Sequence, residues 1–505
     1  MLVLRILVLS ALALSAESLR SQEVIETASG PVQGVPASEG SSIVVFKGIP
    51  FAAPPVGDLR WKAPQRAESW DEVRVCDKFG PIAWQGKNGN KSEDCLYLNV
   101  WAPPKSDEKL PVMVWIHGGG LTSGAGSLKN YDGEAFAKRD VILVSINYRL
   151  GALGYFSHPQ LSKESPDGVS GNYGFLDQVA ALKWVQKNIE AFGGDKDRVT
   201  IFGESAGGTS VYVLTASPLA KGLFHRAILQ SPWLDPAIFK PLRSASTDTP
   251  SAESKGAKAA AELVGDSEDA LVKLRELSAK KITNGLPGRM PVAIGGKFLP
   301  KNPEQIFVSG NHNKVPIIAG TNRDEGTMFA GSAAGQSIEQ FEKGIQPIFG
   351  DDTQRVLEFY DLREKSQVLP TAIQMITDGW FVQPARRYCR QVADRGGKVW
   401  MYHFTRVSPN WSWLGAAHAA EIVFVFNTLN SNKMKGDNEK IANAMISYWV
   451  QFAKSGNPNL SGLHDWPQYD SKSDKHLVID AEMKADSGLR NEACDMLDSI
   501  RPVAQ

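Results

Sequence analysis

The sequence predicts an α/β fold, a mainly parallel central sheet covered by helices on both faces, and three observations carry that reading. Residues 112–116, 141–147 and 199–202 are short, β-branched and almost wholly apolar, as strands are when both sheet faces are covered. Residues 226–231 and 315–320 continue the series. Between these segments, residues 172–192 show helical periodicity, with Phe175, Val179, Leu182, Val185 and Ile189 recurring on one face. Glycine-rich turns follow two of the apolar segments: His117-Gly118-Gly119-Gly120 after Ile116, and Gly203 to Gly208 after Phe202. Apolar strands alternating with helices make one doubly covered sheet rather than separate helical and β bodies.

The chain opens with one cation, Arg5, and an apolar run at residues 6–14, with small residues at Ala11, Ala13, Ser15, Ala16 and Ser18. That run is too short to span a bilayer, so residues 1–21 are expected to be a signal peptide. Residues 22–505 then form a single domain, secreted or periplasmic, without stable membrane insertion. The formal net charge is zero, so no long-range attraction favours nucleic acid. Four cysteines fit an oxidising compartment. Cys76 and Cys95 close a small loop and are expected to pair, worth roughly 3 kcal/mol; Cys389 and Cys494 are a second, distant pair whose bonding the spacing leaves open. No cysteine spacing suggests a metal. Asn90-Lys91-Ser92, Asn410-Trp411-Ser412 and Asn459-Leu460-Ser461 are glycosylation sequons.

Residues 43–48, with Gln33-Gly34 before them, alternate and are split by glycine, which reads as edge hairpins. Residues 49–57 carry three prolines and are expected to cross in an extended form. Residues 96–101 and 399–404 read as further strands, and residues 236–301 as peripheral helices over the sheet.

The chemistry gathers at Gly203-Glu204-Ser205-Ala206-Gly207, which fits G-x-S-x-G, a strand-to-helix elbow that exposes a serine hydroxyl. The three glycines at Gly118, Gly119 and Gly120 allow backbone N–H groups to point into a cavity at φ values other residues resist. Donors of that kind stabilise the oxyanion of acyl transfer by roughly 3–4 kcal/mol each. Gly119, Gly120 and Ala206, the residue after the serine, are the expected donors. A serine needs a base, and the base an orienting acid, both downstream in this arrangement. Asp324 and Glu325 follow the 315–320 strand, where parallel sheets present functional loops, and either carboxylate suits. Of the downstream histidines His403, His418, His464 and His476, His403 lies inside a strand and the last two flank a polar C-terminal loop. His418 stands among small residues in Gly415-Ala416-Ala417-His418-Ala419-Ala420 and is the expected base.

These motifs sit beside others: Phe46-Lys47-Gly48-Ile49-Pro50-Phe51-Ala52, Leu59-Arg60-Trp61, Glu93-Asp94-Cys95-Leu96-Tyr97-Leu98-Asn99-Val100, Asn147-Tyr148-Arg149, Gly171-Asn172-Tyr173-Gly174, Asp177-Gln178 and Ala191-Phe192-Gly193-Gly194-Asp195. With them the chain resembles the type-B carboxylesterases, relatives of the cholinesterases, over nearly its whole mature length. The resemblance implies the α/β-hydrolase fold, a Ser205–Glu325–His418 triad with Glu325 chosen over Asp324, and Cys76–Cys95 as a disulfide. It implies hydrolysis of small-molecule carboxylic esters through a covalent acyl-enzyme, with no metal or other cofactor. Leu121 replaces an aromatic residue often found after the glycines, and Ala419 a glycine often found after the histidine. Trp84 falls one position from where a choline-binding tryptophan would stand, and reads as local packing. Trp233, after the 226–231 strand, and Phe156 are expected to line the substrate cleft, with Trp233 narrowing it toward short-to-medium acyl chains. Two other readings stand beside this one: a lipase or polyester-type hydrolase on the same fold, and a non-catalytic cholinesterase-like binding protein.

Overall fold

The computed structural model describes residues 24–86, 89–244, 250–407 and 409–501; the signal-peptide reading of residues 1–21 lies outside them. An 11-stranded sheet forms the body. Its strands in chain order are β1 (Val35–Pro36), β2 (Val44–Pro50), β3 (Tyr97–Ala102), β4 (Leu110–Ile116), β5 (Ile142–Ile146), β6 (Gly194–Glu204), β7 (Arg226–Gln230), β8 (Ile317–Asn322), β9 (Val399–Phe404), β10 (Lys475–Ile479) and β11 (Lys484–Ser487). In space they run β11-β10-β9-β8-β7-β6-β4-β5-β3-β2-β1. The stretch from β10 to β5 is parallel throughout, and antiparallel strands close both edges. The apolar segments legible in the sequence are thus the central strands. The edge hairpin expected around residues 33–48 is β1 paired with β2, and a further hairpin, Val24–Thr27 with Gly30–Gln33, pairs in a separate small sheet with Arg74–Val75.

Both faces of the sheet are covered, and β4 shows how. Val112, Val114 and Ile116 point into one core layer, while Met113 and Trp115 point into the other, the period of two that a strand imposes. The first layer is closed by α1 (Tyr173–Asn188) and α2 (Ala206–Ala216). The second is closed by α3 (Asp437–Ser455), which buries Ile441, Met445, Trp449 and Phe452. Residues 236–301 hold the expected peripheral helices, Ala252–Val264, Ala270–Glu276 and Ala279–Gly285, plus a small parallel ribbon of Phe239–Pro241 and Val292–Ile294. Among the described residues no helix is long and apolar enough to cross a membrane.

Two polar ties fix the helices behind the site. Arg149 and Asp177 form a bidentate pair, Nε to Oδ2 at 2.8 Å and Nη2 to Oδ1 at 2.6 Å, wholly inside the protein. Removing one partner of such a pair costs about 3–5 kcal/mol, because the other charge is left buried alone. Next to it, Gln178 donates to Ser210 Oγ at 3.0 Å and so joins α1 to α2.

The cysteines correct an expectation. Cys76, Cys95, Cys389 and Cys494 are all free and buried, so the expected Cys76–Cys95 bond is not formed, and Cys389 and Cys494, whose bonding the spacing left open, are not joined either. Each thiol packs in the first core layer as a small apolar side chain, and burial pushes the Cys76 thiol up to about 11.

Candidate active site

Strand β6 ends at Glu204, and Ser205 follows at φ 57° and ψ −122°. A non-glycine residue held there costs of order 1–3 kcal/mol and persists only where its surroundings impose it. Backbone imposes it here: Ser205 N–H donates to Gln230 O at 2.9 Å, and the Ser205 carbonyl accepts from Thr209 N–H at 2.8 Å. The flanking glycines have no substitute. A Cβ on Gly207 would stand 2.0 Å from Ile116 O, and one on Gly203 would stand 2.6 Å from that same oxygen. Without side chains at either position, β4, β6 and α2 converge and turn Ser205 toward a cavity of about 700 Å³.

Gly118, Gly119 and Gly120 line the same cavity. Gly119 and Gly120 take φ of 105° and 65°, and the N–H groups of Thr122 and Ser123 both donate to the Gly119 carbonyl, at 3.1 and 3.0 Å. The loop rests on His117, which stacks on Tyr148 with ring centroids 4.4 Å apart. The Tyr148 hydroxyl donates to the His117 carbonyl at 2.7 Å, and burial lowers the imidazole to about 4. His117 is therefore a neutral support for the loop. Ala206 opens α2, so its N–H is one that the helix leaves without an internal acceptor.

His418 closes the cavity from the other side. Its Nδ1 lies 2.6 Å from Glu325 Oε2, and Glu325 Oε1 accepts from Asn322 N–H at 2.7 Å, all inside the protein. Asp324, the neighbouring carboxylate the sequence left open, faces elsewhere: it pairs with Arg323 and accepts from Ala416 N–H at 2.7 Å. Phe329 and Phe381 pack on the imidazole at centroid distances of 5.0 and 4.7 Å. His403 and His476 face each other at 6.3 Å in the sheet, and His464 accepts from Ala485 N–H.

The sequence reading missed two buried acids. Glu204 Oε1 lies 3.1 Å from His418 Nε2, off line for a hydrogen bond, so the contact is electrostatic and leaves Nε2 free for another partner. Glu421 is held by Gln230 Nε2 at 3.0 Å and Asn322 Nδ2 at 2.7 Å. Their signal was present: a glutamate at the last position of a buried strand, and another heading the apolar run 422–426. Two carboxylates thus stand against one imidazole, and Glu421 acts on it through charge alone. Burial alone would lower His418, but Glu204 and Glu325 outweigh it and raise it to about 9. Burial also pushes Glu204 up to about 8, against the pull of His418. The cluster holds a proton tightly near neutral pH.

The expected pocket residues separate. Trp233 lines the cavity, with its indole 6.4 Å from Trp380. Phe156 does not: it is fully buried and packs against Trp61 at 5.1 Å, in the layer beneath the cleft. Its place after the third central strand put it near the sheet's carboxyl edge, but residues 151–155 coil into a helical turn that carries its ring inward. Trp84 lies under Lys91 Nζ at 5.3 Å and borders a separate small void with Arg60 and Arg149.

Residues 21–497 match the model of the carboxylesterase family. The chain belongs to that family. Fumonisin B1 esterase of Sphingopyxis macrogoltabida is 35% identical over 92% of this chain and 88% of its own length. Para-nitrobenzyl esterase of Bacillus subtilis is 34% identical over 94% of this chain and 98% of its own. A solved structure titled PNB esterase superposes with a TM-score of 0.82 at 34% identity, covering 94% of this chain and 99% of that one. This carboxylesterase has the α/β-hydrolase fold and is a carboxylic ester hydrolase.

Proposed function

We propose that this carboxylesterase cleaves esters through Ser205, His418 and Glu325. The observation that carries the reading is the 2.6 Å contact between His418 Nδ1 and the buried Glu325, on the loop facing the cavity that Ser205 lines. Ser205 Oγ attacks the ester carbonyl carbon while His418 Nε2 takes its proton. The carbonyl electrons move to oxygen, and the N–H groups of Gly119, Gly120 and Ala206 stabilise that oxyanion. Glu325 fixes the tautomer with the proton on Nδ1 and stabilises the imidazolium. Collapse of the tetrahedral species expels the alcohol, which takes the proton from His418. Water, deprotonated in turn by His418, attacks the acyl-enzyme; the acid leaves and Ser205 regains its proton.

Trp233 and Trp380 narrow one side of the cavity, and on this reading they favour short-to-medium acyl chains. The leader-like residues 1–21 make export to the periplasm or medium part of the same proposal. Ser205→Ala tests the chemistry: turnover of p-nitrophenyl acetate should fall at least about 10⁴-fold while the circular dichroism spectrum is retained. A variant that keeps a tenth of wild-type turnover contradicts it.

A further inference from the structure

Arg289 lines the same cavity as Ser205 and His418. Its guanidinium carbon lies 4.3 Å from the centre of the Trp233 ring, and one guanidinium nitrogen would be 2.9 Å from a Cβ placed on Gly120. The cation therefore sits over both the acyl-side tryptophan and the glycine loop. Apart from Glu204 and His418, which face each other, it is the only charged side chain lining the cavity among the described residues. No carboxylate among the described residues lies within ion-pair distance of it, although most arginines of the chain that reach into the body have one, as Arg60, Arg149, Arg386 and Arg387 do.

The position is built rather than incidental. Arg289 is exposed, but the loop that bears it is pinned by the buried side chains of Leu286 and Met290 on either side. The guanidinium plane rests on the Trp233 ring, a contact that uses none of its N–H donors and leaves the fork for the cavity. A neighbouring cavity of about 540 Å³ shares Trp233 and Arg289 and adds Lys255 and Lys258 against Asp235 and Glu262. The two lysines and two carboxylates balance, so Arg289 carries the net charge where the two cavities meet. A guanidinium with free donors is the side chain best matched to a planar carboxylate.

We infer that Arg289 selects esters whose acyl chain carries a second, free carboxylate: half-esters of short dicarboxylic or polycarboxylic acids. This rests on the proposed function above, both its triad and its acyl side at Trp233. The carboxylate docks on Arg289 while the ester carbonyl reaches Ser205, so the charge is read beside the reaction rather than in it.

The test compares monoethyl glutarate with ethyl pentanoate, which differ by a carboxylate in place of a methyl group, by following acid release in a pH-stat. Wild type should favour the half-ester by about tenfold in kcat/KM, and that ratio should fall by about tenfold in Arg289→Gln, be partly restored in Arg289→Lys, and shrink with added salt. Free glutarate should compete with p-nitrophenyl acetate in wild type and lose that competition in Arg289→Gln, a binding readout that does not require turnover of either ethyl ester. A ratio that ignores the substitution, or a wild type that favours the neutral ester, overturns the inference. Failure of the triad reading would show instead as activity surviving in Ser205→Ala.

Discussion

The reacting wall of the cavity and the Arg289–Trp233 wall differ in what holds them. Ser205 follows directly on the central strand β6 and Glu325 stands three residues past the end of β8, and His418 lies on a loop tied to Asp324 and Asn322 by backbone and side-chain hydrogen bonds. Glu204, Glu325, His418 and Glu421 are all buried. The Arg289 side is a surface loop whose arginine is exposed and makes one ring contact. The first wall cannot move without disturbing the core, whereas the second can be rebuilt at little cost in stability. On the proposed reading, reaction type lives in the core and substrate choice in the loops, as expected where a rigid scaffold carries variable connections.

The largest effect should come from the reacting wall. Glu325→Gln keeps the shape but loses the charge on Nδ1–H, and turnover should fall by roughly 10³- to 10⁴-fold; Asp324→Asn should cost less than about threefold, since Asp324 faces Ala416 N–H and Arg323. Steady-state kinetics on both variants decides it, and a reversed order would show that the adjacent carboxylates have exchanged roles.

Next is Gly207→Ala. Its Cβ would meet Ile116 O at 2.0 Å, so the elbow must open, with a stability loss of about 3 kcal/mol or more by urea titration. Gly288→Ala, on the Arg289 loop where a Cβ meets nothing within 4 Å, should stay within about 1 kcal/mol of wild type. Equal losses would erase the contrast between the two walls.

Acidity sharpens it further. General-base work needs neutral His418, and Glu204 and Glu325 hold the proton on it up to about 9. Activity should therefore be lost as pH falls through that raised value, and kcat/KM should climb with pH to a midpoint well above the ordinary 6.5 of a histidine. Glu204→Gln removes one of the carboxylates, so its midpoint should move acidward and its relative activity at pH 6–7 should rise. A midpoint that stays put would mean Glu204 does not act on the base.

The smallest effect is expected at Trp233→Ala. Apolar pockets discriminate by only about 1–3 kcal/mol per methylene, so the variant should shift the p-nitrophenyl acetate, butyrate, octanoate and palmitate series toward longer chains by a graded amount. An unchanged profile would remove Trp233 from size selection.

The same division governs what the sequence made legible. Central strands announced themselves because both faces are buried, leaving no polar interruption to blur them, and the elbow glycines were readable because backbone contact there admits nothing else. Glu325 was separable from Asp324 only by family resemblance, since two adjacent carboxylates on a loop look alike until Asn322 N–H claims one. Glu204 and Glu421 escaped notice because their meaning lies in meeting His418, which is distant in the chain from Glu204. Phe156 misled because an aromatic residue near a strand end is placed by local coiling, which periodicity does not report. Arg289 sits in a proline- and glycine-rich loop with no pattern at all, and only its approach to Trp233 and Gly120 gives it a role.

The central claim is that Ser205 is the nucleophile of a His418–Glu325 relay, and covalent trapping reaches it most directly. Wild type and Glu325→Gln are treated with a p-nitrophenyl alkylphosphonate, release of p-nitrophenol is timed, and the adduct is located by peptide mass mapping. The expected result is stoichiometric release from wild type, the added phosphonyl mass on Ser205 alone, and a much slower reaction in the variant. Phosphonyl mass on another residue, or full activity surviving stoichiometric modification of Ser205, would contradict it.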